Sequence, residues 1–211
     1  MLELAIDQSN PDAEPVGQAA EALKTGGLVV FPTDTVYGLG AALFDRQAVR
    51  RIFELKGRQS GKGLIAMIAD PADLARVSST VPRAAKVLID KFWPGPLTLV
   101  LPAAVAVPRL ATINGTIGVR MPDNNLVKAL VRAVGQPLAT TSANLAGRSS
   151  PTGAAQAKAA LEAPNVDIFI DGGDCALGIE STVVDMQTWP PTVVREGAVS
   201  RASLWEALGI E

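Results

Sequence analysis

The chain has 211 residues, 48% of them hydrophobic and 4% aromatic, with 19 basic and 21 acidic side chains for a net charge of -2. A chain of this size can bury about 70% of the surface its unfolded form exposes, so it needs no disulfide staples, and its single cysteine, Cys175, allows no internal disulfide. No apolar run reaches the ~18 residues of a membrane helix, the start MLELAIDQSN lacks a basic leader segment, and the acidic balance argues against a protein built mainly to hold nucleic acid. The cysteine usage fits a reducing compartment, so the expected location is cytoplasmic, without membrane association. The chain has no histidine. That removes a histidine general base, a Ser-His-Asp triad, a Cys-His pair and a His-ligated zinc.

In chain order, Val16 to Thr25 reads as a helix stopped by Gly26 and Gly27, and Leu28 to Thr33 as a strand. Asp45 caps a helix running to Lys56, with Val49, Ile52 and Phe53 on one face. Leu64 to Ala69 is a strand, and Pro71 to Val77 a short helix. After Pro82, the apolar spacing of Ala85, Leu88, Ile89 and Phe92 predicts a helix up to Trp93-Pro94-Gly95. Leu97 to Leu101 and Gly118 to Met121 read as strands, Asn125 to Val134 as a helix, Leu138 to Thr141 as a strand and Gly153 to Leu161 as an Ala-rich helix. Strands follow at Asp167 to Ile170, Thr182 to Met186 and Thr192 to Arg195, and Ser200 caps a last helix ending near Gly209. Helices alternate with strands early, and strands crowd together late. This predicts one α/β domain over residues 1–211, with a twisted, open, mixed sheet and flanking helices.

Polar strings recur at the predicted strand ends, where open α/β sheets place ligands. FPTDTVYGLG (residues 31–40) sets two hydroxyls and a carboxylate before closely spaced glycines. Lys56, Arg58 and Lys62 follow one another closely around Gly57, Gly61 and Gly63. Cations at a helix end are favourable on dipole grounds alone; a second reading is a clamp for a polyphosphate. No GxxxxGK[ST] string is present, so a nucleotide would be held by side-chain cations. Arg120, inside the strand VRMP, either faces solvent or holds a carboxylate with its planar fork. Thr140, Thr141, Ser142 and Asn144 give a hydroxyl run ending in an amide, more than turn formation requires. Ser149 to Thr152 is more turn-like, and WPGPLT reads as a helix stop and tight strand entry. GIEST, containing Glu180 and Ser181, repeats the theme of FPTDT, and Arg195 ends another strand in VVREG. No spacing suggests a dedicated metal cage.

Taken in order, FPTDTVYGLG, the Lys-Gly-Arg helix end, WPGPLT, VRMP, TSAN, GIESTVVD and VVREG resemble the YrdC-like threonylcarbamoyl-AMP synthases over residues from about 26 to 197, in the short, single-domain form. The resemblance implies a large concave cationic cavity. It also implies a nucleotidyltransferase activity that joins L-threonine, bicarbonate or carbon dioxide, and ATP into threonylcarbamoyl-AMP and pyrophosphate. The product would serve tRNA modification through a separate transferase complex, with magnesium carried by ATP and no tightly bound cofactor. By the same resemblance, Lys56 and Arg58 are catalytic and, with Lys62, face the phosphates. Ser142, Asn144, Ser150 and Arg195 bind the nucleotide, and Thr35, Thr116, Arg120, Thr140 and Ser181 surround the threonine. Gly38 and Gly40 would let backbone approach the substrate. The chain departs from the family pattern at Gln59, where many members have proline, at Lys62, where others have asparagine, and at Met67, where some have histidine. A different reading is an RNA-binding module of the same fold without synthase activity; the scarcity of aromatics counts against base stacking.

Overall fold

A computed structural model describes residues 1–57, 63–145, 147–161 and 165–210. Among these residues the chain forms β1 (Leu2–Ala5), α1 (Ala13–Lys24), β2 (Val29–Phe31), β3 (Gly38–Ala42), α2 (Arg46–Lys56) and β4 (Ile65–Met67). After a 3-10 turn at Pro71–Asp73 come α3 (Leu74–Val77), α4 (Arg83–Phe92), β5 (Leu97–Pro102) and β6 (Thr116–Arg120). The chain continues through α5 (Asn125–Val134), β7 (Leu138–Ser142), α6 (Ala154–Ala160), β8 (Ile168–Asp171), β9 (Thr182–Asp185), β10 (Thr192–Arg195) and α7 (Arg201–Leu208).

All the described strands join one sheet of 10 strands in the order β1-β8-β2-β3-β7-β4-β6-β5-β9-β10. The sheet is mixed: β8 lies parallel between β1 and β2, β4 is parallel to β6 and β5 to β9, while β3, β7 and β10 pair antiparallel. Alternation along a strand divides the apolar residues between the two faces. Val29 and Phe31 pack with α1 and α5, through Val16, Leu23, Leu126 and Leu130. Leu28 and Val30 belong to the other core, with Ile52 of α2, Leu88 of α4, Ala157 of α6 and Leu204 of α7.

Local chemistry fixes the helix ends. The Asp45 carboxylate accepts from the Gln47 and Ala48 N–H groups, and Gly57 closes α2 at φ 58°, in the left-handed region. Asn124 caps α5 by accepting from Val127 N–H, and Ser200 caps α7 through Ser203 N–H. The helices expected at Arg46–Lys56, Asn125–Val134 and Arg201–Leu208 are therefore present, and β10 spans Thr192–Arg195 as read. Two strands escaped the pattern. β1 is a short, mostly exposed edge strand. β3 reads GLGAA, without the β-branched and aromatic residues that signal a strand. The segment Pro71 to Val77 is a 3-10 turn running into one short α-helix rather than a single helix.

Candidate functional site

A pocket of about 200 Å³ lies across the middle of the sheet. Gly38 of β3, Ile65 and Met67 of β4, Arg120 of β6 and Thr140 to Ser142 of β7 line it, with Thr33, Thr35, Val36 and Tyr37 following β2. Ser181, just before β9, and Arg195, ending β10, complete it. A larger polar pocket of about 650 Å³ adjoins it, lined by Asn144, Arg148 and Ser150 among others. The two share Val36, Ser142, Glu180 and Arg195, which form a common wall.

Arg120 does not face solvent: the residue is 2% exposed. Its Nε donates to the Gly95 carbonyl at 3.0 Å, Nη1 to Thr35 Oγ at 2.7 Å and Nη2 to Asp34 Oδ1 at 2.5 Å. Burial draws the guanidinium below its ordinary pKa, and the charge and hydrogen bond of Asp34 work in the opposite direction. The turn read from WPGPLT thus has a second use, because the Gly95 carbonyl anchors the arginine.

Three of the pocket's hydroxyls, those of Thr35, Thr140 and Ser142, are polarised in one sense. Thr33 Oγ lies 2.8 Å from the Val36 carbonyl, which can only accept, so the Thr33 proton is spent there. The 3.0 Å contact between Thr33 Oγ and Thr35 Oγ must then be donated by Thr35. Thr140 donates to the Ile65 carbonyl at 2.9 Å. Ser142 donates to Asn144 Oδ1, an assignment fixed by the two carbonyls, Leu145 and Arg148, that accept from Asn144 Nδ2. Thr35, Thr140 and Ser142 therefore offer lone pairs, not protons, to anything in the pocket. Arg120 is the donor: three of the five N–H groups of a guanidinium are used, leaving one on each terminal nitrogen. Arg195 donates to the Ser181 carbonyl at 2.8 Å and to Ser181 Oγ at 3.3 Å, and pairs with Glu180, which also accepts from Ser150. Ser181 meets Thr98 at 2.8 Å.

The structure brings together Thr35, Arg120, Thr140, Ser142, Ser181 and Arg195 in one pocket, and Ser142, Asn144, Ser150 and Arg195 in its neighbour. Lys56 meets the shared wall through Ser142, whose carbonyl accepts from Nζ at 2.5 Å. Thr116 is not in the lining of the Arg120 pocket; it lines an adjoining, more apolar groove that shares Gly63, Ile65 and Arg195 with that pocket, and its hydroxyl donates to the Ile113 carbonyl at 2.8 Å. Arg58, Gln59 and Lys62 lie outside the described residues. Gly40 does not bring backbone to a substrate as expected from the sequence. It does not line the pocket, and a Cβ there would stand 2.7 Å from Cε1 of Phe31, so the glycine makes room for a core ring. Sequence reasoning assigned no site role to Asp34 or Glu180, although both stand in quoted strings; each is defined by a partner remote in sequence, Arg120 and Arg195 respectively. Among the described residues no three His, Cys, Asp or Glu side chains cluster to hold a metal ion.

An open mixed sheet that carries a donor-and-acceptor pocket beside a larger polar one defines an α/β fold with the kind of concave setting in which small-molecule sites occur. Comparison with known proteins makes this particular. The Sua5/YciO/YrdC family profile, described as telomere recombination, matches residues 21–197, and the chain belongs to this family. It is 42% identical over 192 residues to the threonylcarbamoyl-AMP synthase of Pyrococcus abyssi, covering 90% of this chain and 56% of that protein. To the threonylcarbamoyl-AMP synthase of Bacillus subtilis it is 39% identical over 205 residues, covering 96% of this chain and 59% of that protein. The chain thus spans little more than half the length of these two relatives. The structure of P. abyssi Sua5 complexed with L-threonine superposes with a TM-score of 0.94 at 37% identity, over 99% of this chain and 61% of that one. That of Escherichia coli YciO gives 0.87 at 32% identity, over 97% of this chain and 100% of that one.

Proposed function

We propose that this chain is an L-threonylcarbamoyladenylate synthase, condensing L-threonine, bicarbonate or carbon dioxide, and ATP to threonylcarbamoyl-AMP and pyrophosphate. The product would be passed to tRNA modification through a separate transferase, so tRNA would be an indirect partner. The observation that carries the reading is the polarity of the smaller pocket. A buried arginine with one N–H left on each terminal nitrogen shares it with three hydroxyls that present lone pairs. That pattern complements an amino acid, whose carboxylate needs donors and whose amine and hydroxyl can donate. The similarity to a Sua5 crystallised with L-threonine supports threonine as that amino acid.

ATP would occupy the adjoining polar pocket, touching Ser142, Asn144, Ser150 and Arg195, with Lys56, Arg58 and Lys62 toward the phosphates. The two pockets would then be parts of one concave cavity, with Thr116 lining its apolar extension. The substrates bring their own nucleophiles. The threonine amine adds to carbon dioxide, opening one C=O bond and releasing a proton to solvent (from bicarbonate, water is expelled instead), and the carbamate oxygen then displaces pyrophosphate from the α-phosphorus. The protein's contribution would be alignment across the shared wall and compensation of charge, which needs no histidine. Magnesium would arrive on the phosphates and neutralise part of their charge; Glu180, the carboxylate of the shared wall, is engaged by Arg195 and Ser150.

The experiment is pyrophosphate release from ATP with each substrate withheld in turn. Release is expected only when both L-threonine and bicarbonate are present. Equal release without threonine would identify a plain nucleotidase and overturn the proposal.

A further inference from the structure

Asp34 is the best-placed charged side chain to which the proposed reaction gives no task. It is 5% exposed and follows the end of β2, where its carbonyl accepts from Leu177 N–H at 2.9 Å. Its Oδ1 meets Arg120 at 2.5 Å. Its other oxygen, Oδ2, is buried without a hydrogen-bond partner among the described residues. A buried ion pair with a carboxylate oxygen left over is a poor stability device. Desolvation of both charges offsets much of their attraction, and an unsatisfied buried acceptor adds a further cost. Well-packed apolar residues would hold β2 to β6 at least as firmly.

The cost has a geometric return at Arg120. A guanidinium turns as one rigid plane, so three contacts on three different nitrogens leave it no freedom to rotate. Gly95 fixes Nε, Thr35 fixes Nη1, and Asp34 fixes Nη2. Of these acceptors only Asp34 is charged, and it makes the shortest contact. Thr35 is tied into the same arrangement. Its proton goes to Thr33, so its lone pairs face Arg120 and the pocket together.

We propose that Asp34 is a positioning residue for substrate recognition: by pairing with Arg120 it locks the guanidinium plane so that the two remaining N–H groups point together at the amino acid's carboxylate. Asp34 lines a separate surface depression with Gln8, Asp123, Asn124 and Asp174 and is absent from the lining of the Arg120 pocket, so its effect on substrate passes through the arginine. This rests on the synthase reading for the identity of the ligand, but the lock itself does not.

Two measurements separate these. The first needs no ligand. In ¹⁵N NMR of the full chain, the Nη signals of Arg120 should be resolved and slowly exchanging in the wild type, and averaged in Asp34→Asn, which keeps the shape and removes the charge. Resolved signals in both would overturn the lock. The second is titration with L-threonine and with a non-hydrolysable ATP analogue, for wild type, Asp34→Asn, Arg120→Met and the double variant. Asp34→Asn should weaken threonine binding by about tenfold or more, the loss of one charge-assisted contact, and leave the analogue within about twofold. In the Arg120→Met background, Asp34→Asn should cost no further threonine affinity, because its only route is gone. That double variant also removes both charges, so it folds without an unpaired buried ion. Equal losses for both ligands, or a full additional loss in the double variant, would show a merely structural role. A wild type that fails to bind threonine would sink the synthase reading, while the NMR comparison would still decide the lock.

Discussion

Replacing Arg120 by lysine keeps a charge and removes a plane. Lysine can satisfy one neighbour as a point charge but cannot hold Gly95, Thr35 and Asp34 and still present two parallel donors. Loss of one charged hydrogen bond of ~1.5–3 kcal/mol corresponds to roughly 10- to 150-fold in threonine affinity. Arg120→Lys should show this in a threonine titration, with much less change for ATP and an unaltered circular dichroism spectrum. ATP affinity as the main casualty would show that Arg120 does not hold the amino acid. Cys175 makes a different prediction. Burial pushes its thiol from an ordinary value near 9 up to about 11. In the unfolded chain the thiol ionises first, so the unfolded state releases its proton at lower pH. Stability is therefore unaffected by this group below about pH 9 and falls as pH rises from about 9 to 11. Tyr37 is raised in the same direction by burial and acts at higher pH. Denaturant melts across that window should show the loss, and Cys175→Ala should flatten it; an unchanged slope in the variant would assign the loss elsewhere.

At the scale of elements, the parts written in local chemistry could be read from the chain. Capping and apolar spacing are local, so the caps Asp45 and Ser200 announced α2 and α7 and the spacing within Asn125–Val134 announced α5. β3 could not be read this way, because glycine and alanine carry no strand signal and Gly40 answers to packing across the sheet: it leaves room for the ring of Phe31 on the neighbouring strand. Arg120's burial was equally invisible, since its counter-ion lies 86 residues away. The cap of α2 gives a test that distinguishes holding an element from delivering a residue. Asp45→Ala removes two acceptor contacts to Gln47 and Ala48 and should cost ~0.5–2 kcal/mol in a urea melt. Val49, Ile52 and Phe53 remain packed in the core and keep the helix seated. Lys56, at its far end, should therefore stay in place, and ATP affinity in the folded protein should be unchanged. A loss of ATP affinity comparable to that of Lys56→Ala would mean that the cap, not the packing, positions the lysine.

The whole molecule assembles its site from segments that run from Thr33 to Arg195, and the sheet order that joins them skips back and forth along the chain. Periodicity cannot fix such an order, because each pairing depends on partners far away; the ordered family strings stood in for it. The assembled molecule also bears on RNA. Its 19 basic and 21 acidic residues leave a net charge of -2. Arg120 and Arg195, the cations in the pocket of about 200 Å³, are paired with Asp34 and Glu180. Charge that is internally compensated releases few counterions on meeting a phosphate backbone, so it contributes little to nucleic-acid affinity. The RNA-module reading therefore makes the opposite prediction from the synthase reading, and one assay separates them. With ATP, threonine and bicarbonate supplied, adding tRNA should leave the rate of pyrophosphate release within about twofold at moderate salt. Filter binding of labelled tRNA to the same protein should be weak and should vanish as salt rises. Purified protein that stays inert until tRNA is added, or that retains tRNA at high salt, would favour recognition of RNA and displace the synthase.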